Sequence, residues 1–212
     1  MGKVLRVNQQ SPSAEVLAEA TYVLSAGGVL VMPTDSVYGI GCAATPDNPA
    51  HQRIFEIKRR SISQTLPWLV ADFEDLNCYA ASIPASALEL VTQYWPGALT
   101  VVVRASDAVP EQYRGADGTI ALRMPDSNLV RELARRVGAP LATTSANTHG
   151  LAAATSGLDV EERIVAEADL TLDGGPAPLA VASTIVSFVG ERPQVLREGA
   201  IPAHRIIKIF AQ

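Results

Sequence analysis

Three polar clusters in this chain combine side chains that suit small anionic or sugar ligands. Pro33 to Gly41 reads Pro-Thr-Asp-Ser-Val-Tyr-Gly-Ile-Gly, whose hydroxyls and glycines allow the backbone to approach a ligand closely. Lys58 to Arg60 brings a point charge and planar guanidinium groups, which suit phosphate oxygens. Thr143 to Asn147 offers hydroxyl and amide groups that bond such oxygens without charge. Each cluster alone also fits a capped turn, a helix cap or an ordinary loop, so composition leaves both interpretations open.

The elements that must position these clusters alternate between helices and strands. Apolar spacing predicts a helix over 14–26, which ends at Gly27. A buried strand over 29–32 follows and is closed by Pro33. The other predicted helices cover 49–60, 86–94, 128–137 and 160–168, with a helix start at 72–76, and the other strands cover 68–70, 99–104, 119–124, 141–144, 183–188 and 194–197. This alternation predicts one α/β domain over 1–212, with a mixed sheet covered on both faces.

The composition of the 212 residues excludes several classes of protein. With 48% apolar and 18% charged residues, the chain is too apolar for disorder and too poor in charge for a coiled coil. A formal charge of −5 argues against nonspecific coating of nucleic acid, although a local basic site stays open. No apolar run approaches the ~20 residues that a membrane span needs. Two cysteines, Cys42 and Cys78, and no leader-like segment favour the cytoplasm.

Several familiar motifs for nucleotide and metal chemistry are absent from the sequence. There is no GxxxxGK[ST] loop, no GxGxxG that opens a helix, no HExxH and no GxSxG. His149 has no cysteine or second histidine at the spacing of metal ligands, so no metal site is predicted. Any nucleotide chemistry must therefore use another scaffold, and folding must bring together basic residues that lie far apart in sequence.

Seven ordered motifs resemble the YrdC/Sua5 family over nearly the whole chain. They are Pro33 to Gly41, Arg53 to Arg60, Trp95 to Gly97 with Leu99 and Thr100, Ala121 to Pro125, Thr144 to Asn147, Ser183 to Val186, and Leu196 to Ala200. Seven motifs in order are far more specific than any one of them. The resemblance implies the short single-domain form of the YrdC-like fold, with a core from about 14 to 202. It also implies a twisted mixed sheet, helices on both faces and a concave basic cleft.

Members of this family make threonylcarbamoyl-adenylate for the t6A modification of tRNA, and the resemblance implies the same reaction here. L-Threonine and bicarbonate would form a carbamate whose oxygen attacks the α-phosphate of ATP and releases pyrophosphate. Because carbamate and triphosphate are both anionic, positioning and charge stabilisation are the main task. The resemblance further implies Mg²⁺ held mainly through the phosphates and a downstream transferase of the TsaD, TsaB and TsaE type. Contact with tRNA or double-stranded RNA is left open.

The same resemblance carries site residues over motif by motif. The catalytic set that would hold the triphosphate and the developing charge is Lys58, Arg60, Ser145 and Asn147. ATP would be contacted by Arg60, Gln64, Thr119, Ser145, Ala153 and Arg197. Threonine would lie against Thr34, Ser36, Tyr38, Arg123, Thr143 and Ser183. Arg123 is expected to grip the amino acid carboxylate as a bidentate fork.

Four positions depart from the family pattern, and two other functions share the fold. Ser36 stands where Thr is common, Leu69 where many members have His, Ala153 where a Ser often contacts nucleotide, and Ser187 where Asp is usual. One alternative is a YrdC-like protein that binds RNA or matures ribosomes without the reaction. The other is a carbamoyl-transfer module like that of hydrogenase maturation proteins. The retained catalytic set favours the synthase over the first, and the length of the chain argues against the second.

Overall fold

The computed structural model describes residues 2–62 and 64–210, and these residues build one ten-stranded mixed sheet. The strands are β1 (Val4–Arg6), β2 (Leu30–Met32), β3 (Gly39–Ala43), β4 (Trp68–Leu69), β5 (Leu99–Arg104), β6 (Thr119–Arg123), β7 (Leu141–Ser145), β8 (Leu170–Asp173), β9 (Thr184–Ser187) and β10 (Gln194–Arg197). Their order across the sheet is β1-β8-β2-β3-β7-β4-β6-β5-β9-β10. Four pairs are parallel, β1 with β8, β8 with β2, β4 with β6 and β5 with β9. The predicted mixed α/β fold is confirmed.

Seven α-helices within the described ranges flank the sheet. They are α1 (Ala14–Ser25), α2 (Pro49–Lys58), α3 (Asp75–Tyr79), α4 (Ala85–Tyr94), α5 (Asn128–Val137), α6 (Glu162–Glu167) and α7 (Ala203–Phe210). Local sequence sets several of the ends. Asn48 caps α2 ahead of Pro49, and Gly138 ends α5 in the left-handed conformation. None of these helices has the length and apolar character that a membrane span requires.

Apolar side chains are buried on both faces of the sheet, because successive residues of a strand point to opposite sides. Leu30 and Met32 of β2 belong to the cluster beneath α1 and α5, to which α5 contributes Leu133. Val31 of the same strand points the other way, into a larger cluster with Ile54 of α2. Helices α4, α6 and α7 also pack on this second face. The prediction that helices cover both faces is confirmed.

The sequence patterns do not predict four of the elements, namely β1, β3, β8 and α7. The other predicted helices and strands are confirmed to within a few residues at their ends. The patterns miss strand β3 because its two glycines are unusual in a strand and are typical of a turn. A Cβ at Gly41 would lie 2.5 Å from the Thr143 Oγ1, and one at Gly39 would lie 2.7 Å from the Thr143 Cγ2. The glycines therefore allow β3 to lie close to the Thr143 side chain of β7.

The central strands bring the polar clusters to one region of the sheet. The register of β3 with β7 pairs Gly39 with Ser145, and that of β4 with β6 pairs Leu69 with Arg123. Leu69 also belongs to the apolar cluster beneath α1 and α5. Since residues paired across adjacent strands share a face, Arg123 lies on the α1 and α5 side of the sheet. Thr143 and Ser145 of β7 share this face with Arg123, beyond the part that the two helices cover. The cluster from Lys58 to Arg60 comes from the end of α2, which packs on the other face.

Candidate active site

A cleft with a volume of about 230 Å³ lies over the central strands and collects most of the predicted residues. Its wall includes Thr34, Ser36, Tyr38, Arg123, Thr143, Ser145, Asn147, Ala153, Ser183 and Arg197. Leu69 contributes an apolar patch to the same wall. Among the described residues that line the cleft, only Arg123 and Arg197 are charged, and none is a carboxylate. The cleft therefore presents hydroxyls and two guanidinium groups to a ligand.

Arg123 is buried at the end of β6 and is held by three acceptors. Its Nε donates to the Gly97 carbonyl at 3.0 Å, and its Nη1 donates to the Ser36 hydroxyl at 2.7 Å. Its Nη2 donates to the Asp35 Oδ1 at 2.5 Å, in an ion pair whose side chains are 7% and 5% exposed. Burial lowers the pKa of Arg123, and Asp35 opposes this by favouring the cation. The guanidinium is thus fixed in place, and two of its five N–H bonds are not used by these contacts.

The turn between β2 and β3 is ordered by its own hydroxyl groups. The Thr34 Oγ1 lies 3.0 Å from the Ser36 Oγ, donates to the Val37 carbonyl at 2.8 Å and accepts from the Ser36 N–H. All three side chains are almost fully buried. Thr34 therefore fixes the position of the Ser36 hydroxyl, which in turn accepts from Arg123.

Tyr38 borders the cleft, but its hydroxyl serves a loop after β8. It donates to the Gly175 carbonyl at 2.7 Å and accepts from the Gly174 N–H at 2.9 Å. Burial raises the pKa of Tyr38 to about 12, so the phenol stays protonated at neutral pH. Tyr38 thus lines the cleft while its hydroxyl binds the protein, and its role in a threonine pocket stays a prediction.

Replacing Tyr38 with Phe is expected to destabilise the protein while leaving the polar lining of the cleft in place. The change leaves the half-buried Gly174 N–H and Gly175 carbonyl without their partner, and we expect a loss of about 1 kcal/mol. Urea denaturation followed by circular dichroism measures this loss. A variant as stable as the wild type would contradict the role assigned to the hydroxyl.

Lys58 is the last residue of α2, and its ammonium binds the loop that follows β7. The Nζ lies 2.5 Å from the Ser145 carbonyl, 2.7 Å from the Asn147 carbonyl and 3.4 Å from the Asn147 Oδ1. Lys58 is 2% exposed and is not part of the cleft wall. Burial, and then the charge of Arg60, lower the pKa of Lys58 to about 8. In this structure Lys58 therefore lies behind the wall and holds Ser145 and Asn147 in place.

Asn147 completes this loop through its amide nitrogen. The Nδ2 donates to the Leu151 carbonyl at 2.7 Å and to the Thr148 carbonyl at 3.0 Å. The backbone N–H of His149 donates in turn to the Lys58 carbonyl at 2.9 Å. The loop and the end of α2 are thus bound to each other through both side chains and backbone. Lys58 binds the backbone carbonyl of Ser145, and Ser145 itself lines the cleft.

Arg60 lies at the edge of the cleft and reaches it through Thr144. Its Nη1 donates to the Thr144 hydroxyl at 3.1 Å, and its Nε donates to the Gln64 Oε1 at 2.6 Å. The guanidinium carbon also lies 5.7 Å from the centre of the Phe55 ring. Gln64 is exposed and does not line the cleft, and its described contact with the site is the hydrogen bond from Arg60.

Arg197 and Ser183 meet on the opposite side of the cleft. The Arg197 Nη2 donates to the Ser183 carbonyl at 2.7 Å, and the Ser183 hydroxyl lies 2.9 Å from the Thr100 Oγ1. Thr100 is buried at the start of β5 and lines the cleft. Arg197 is thus anchored by a backbone carbonyl while its charge stays beside the cleft.

Lys58, Arg60 and Gln64 lie behind or beside the cleft wall, Thr119 lies away from it, and three residues of the site are missed by the sequence. The Thr119 hydroxyl donates to the Asp117 Oδ1 at 2.7 Å, at the end of β6 opposite Arg123. The structure adds Asp35, Thr100 and the Gly97 carbonyl, all bound to predicted residues. Asp35 belongs to the Pro33 to Gly41 motif. The signal that could have revealed it is that a buried Arg123 needs an anionic partner.

A model of the family of Sua5, YciO and YrdC proteins, described as "Telomere recombination", matches residues 22–199. The chain belongs to the Sua5/YciO/YrdC family. Threonylcarbamoyl-AMP synthase of Pyrococcus abyssi is 35% identical over 186 residues, which are 88% of this chain and 54% of that protein. Threonylcarbamoyl-AMP synthase of Bacillus subtilis is 33% identical over 191 residues, 90% of this chain and 55% of that protein. The chain thus spans about half the length of these two Sua5/YciO/YrdC relatives.

The fold agrees with a solved Sua5 structure. The crystal structure of P. abyssi Sua5 complexed with L-threonine superposes with a TM-score of 0.91 at 32% sequence identity. The match covers 97% of this chain and 60% of that one. The YrdC-like fold expected from the motifs is therefore confirmed, while the roles of individual cleft residues in this Sua5/YciO/YrdC chain stay predictions.

Proposed function

We propose that this chain is an L-threonylcarbamoyladenylate synthase. It would join L-threonine, bicarbonate and ATP into threonylcarbamoyl-AMP, with release of pyrophosphate and water. The observation that carries the proposal is one cleft that combines a fixed Arg123 with the ordered loop from Ser145 to Asn147. The relatives named threonylcarbamoyl-AMP synthase and the Sua5 structure complexed with L-threonine support it.

Threonine would bind at the end of the cleft that contains Arg123. The two N–H bonds that Arg123 does not use for Asp35, Ser36 and Gly97 are available to the carboxylate of the amino acid. Thr143 and Ser183 place hydroxyl groups in the same wall, where they can bind the amino acid's own polar groups. Leu69 offers an apolar contact for its methyl group. The guanidinium is already oriented, so little conformational entropy is lost on binding.

The reaction needs no covalent bond to the protein. The threonine amine attacks the carbon of bicarbonate and water leaves, which gives a carbamate. A carbamate oxygen then attacks the α-phosphorus of ATP, and the bond to the pyrophosphate oxygen breaks. Because two anions meet, cations and N–H donors that are fixed before the reaction lower its barrier. Arg197 would supply such a cation from the cleft wall, Arg60 from its edge, and Lys58 from behind the loop.

The triphosphate would lie along the loop from Ser145 to Asn147, between Arg60 and Arg197. Arg60 donates to Thr144 and Arg197 donates to Ser183, so both guanidinium groups are anchored beside the cleft wall. Ala153 lines the same wall and would contact the nucleotide. Lys58 would act from behind the loop, by fixing its carbonyls and adding positive charge.

Magnesium would enter with ATP and be held by phosphate oxygens and water. In the parts of the chain that the structure describes, no three His, Cys, Asp or Glu side chains converge as metal ligands. The described residues of the cleft wall also lack a carboxylate, which Mg²⁺ usually takes as a ligand. When bound, the ion would neutralise part of the phosphate charge, while Arg60 and Arg197 orient the phosphates.

The product would be passed to a second enzyme that modifies tRNA. A carbamoyl group bound to phosphate is a reactive mixed anhydride, so a nearby acceptor enzyme must consume it. We propose machinery of the TsaD, TsaB and TsaE type as that acceptor. Contact with tRNA or double-stranded RNA stays a prediction. Arg131 and Arg135 of α5 are basic residues that could take part in such a contact, but both pair with Asp72.

Pyrophosphate release with purified protein distinguishes the synthase from the RNA-binding alternative. The assay contains ATP, Mg²⁺, bicarbonate and L-threonine, and each is omitted in turn. Release that needs both threonine and bicarbonate is the expected result. A folded protein that binds ATP or RNA and releases no pyrophosphate would contradict the proposal and favour the RNA-binding protein.

A further inference from the structure

A polar network that none of the predicted roles includes connects the loop after β7 to the start of α6. The Glu161 Oε1 accepts from the Thr148 N–H at 2.6 Å, and its Oε2 accepts from the Thr148 hydroxyl at 2.7 Å. The same hydroxyl accepts from the Arg163 Nη2 at 2.7 Å. Thr148 is thus bound by a carboxylate and a guanidinium at once, through backbone and side chain.

Arg163 carries this network to the end of α2. Its Nη1 donates to the Ile57 carbonyl at 2.7 Å, one residue before Lys58. The Thr148 side of the network directly follows Asn147, whose carbonyl accepts from the Lys58 ammonium. The end of α2 and the loop are therefore joined twice. Lys58 donates directly to the loop carbonyls, and Arg163 donates to both Ile57 and Thr148.

We propose that Glu161 and Arg163 are positioning residues that hold Lys58 and Asn147 in the geometry of the active site through Thr148. The inference rests on the proposed function of the cleft, since it names the residues that keep its loop in place. None of the three residues lines the cleft, so they act through Lys58 and Asn147 and not on a substrate. We name these three residues the Thr148 bracket.

Charge gives the Thr148 bracket a second effect on Lys58. Burial and Arg60 both lower the pKa of Lys58, whereas Glu161 raises it. The other contacts of the ammonium are the Ser145 carbonyl and the Asn147 carbonyl and amide oxygens, which are uncharged. Hydrogen bonds from Thr148, and then the charges of Arg163 and Arg59, keep the pKa of Glu161 low, so it is ionised at neutral pH. We therefore expect removal of this negative charge to lower the pKa of Lys58.

Thr148→Val removes the hydroxyl from the Thr148 bracket while it keeps the shape of the side chain. We expect kcat for pyrophosphate release to fall roughly 10-fold, with the KM for threonine unchanged, because the loop moves while the Arg123 end does not. Thr148→Ser restores the hydroxyl and should restore kcat. Thr155→Val is the control, since it makes the same substitution at a Thr that donates to a carboxylate, Asp159, outside the Thr148 bracket.

The titration of Lys58 tests the Thr148 bracket without any substrate. The chain has three lysines, and Lys3 and Lys208 are exposed, so NMR of lysine labelled at Cε resolves the buried one. In the wild type we expect one lysine to titrate near 8. Glu161→Gln, which keeps the size of the side chain, should shift this midpoint to lower pH.

The two measurements separate failure of the Thr148 bracket from failure of the proposed function. A wild type that is active, with Thr148→Val and Glu161→Gln equal to it in kcat and in the titration of Lys58, would overturn the Thr148 bracket. A wild type without activity would overturn the synthase, and the shift of the Lys58 midpoint would still test the Thr148 bracket. If Thr148→Val does not fold, Glu161→Gln gives the same comparison.

Discussion

Lys58→Met is expected to lower threonine-dependent pyrophosphate release at least about 100-fold, the usual scale for one fixed charge-stabilising donor. Methionine keeps the buried volume but removes the ammonium that binds the Ser145 and Asn147 carbonyls. Two carbonyls then lose a charged donor, and the loop that faces the phosphates loses its support. Steady-state kinetics under saturating ATP and threonine measure the loss.

The matched control for this variant is Lys208→Met. Lys208 lies exposed on α7 and none of the described contacts joins it to the cleft, so turnover should stay at the wild-type value. Circular dichroism establishes that both variants are folded. A folded Lys58→Met protein with wild-type turnover would show that the ammonium has no part in the reaction.

Arg123→Ala is expected to raise the KM for threonine by roughly 10- to 150-fold, more than it changes the KM for ATP. A hydrogen bond to a charged group contributes about 1.5 to 3 kcal/mol, and 1.4 kcal/mol corresponds to tenfold in affinity. The guanidinium lies at the threonine end of the cleft, bound to Ser36 and Asp35. A change confined to ATP would contradict the division of the cleft into a threonine end and a nucleotide end.

The same substitution leaves the buried Asp35 carboxylate without its cation, which costs about 3 to 5 kcal/mol of stability. The double variant Asp35→Asn with Arg123→Met removes both charges and keeps the volume, so it tests threonine binding if the single variant does not fold. Arg136→Met is the control, because Arg136 pairs with Glu132 on the exposed side of α5. Its KM values should match those of the wild type.

The local sequence predicts helices and strands well where periodicity and caps coincide. Helix α5 begins after Ser127, which caps the Val130 N–H, and ends at Gly138 in the left-handed conformation. Strand β3 shows where such patterns fail, since Gly39 and Gly41 mark a turn in most sequences. They are required here because Thr143 lies against them, and that contact comes from a strand about 100 residues away.

The candidate site is likewise predicted only in part, because motifs identify its residues and the fold alone shows which of them are in contact. The motifs predict that Lys58 and Asn147 belong to one site, yet only the fold shows that the lysine binds the loop from behind. Asp35 stands in one of the motifs, but only the fold shows its role, because its partner, Arg123, lies 88 residues later. Thr119 shares a strand with Arg123 but lies at its other end, which a motif match cannot reveal.

The most direct test of the synthase is mass spectrometry of the product formed from ¹³C-bicarbonate, L-threonine and ATP. We expect an adenylate that contains threonine and is heavier by one mass unit than the product from unlabelled bicarbonate. It should disappear when threonine is omitted and should be nearly absent with Lys58→Met. Pyrophosphate or AMP formed without this labelled adenylate would contradict the proposed reaction.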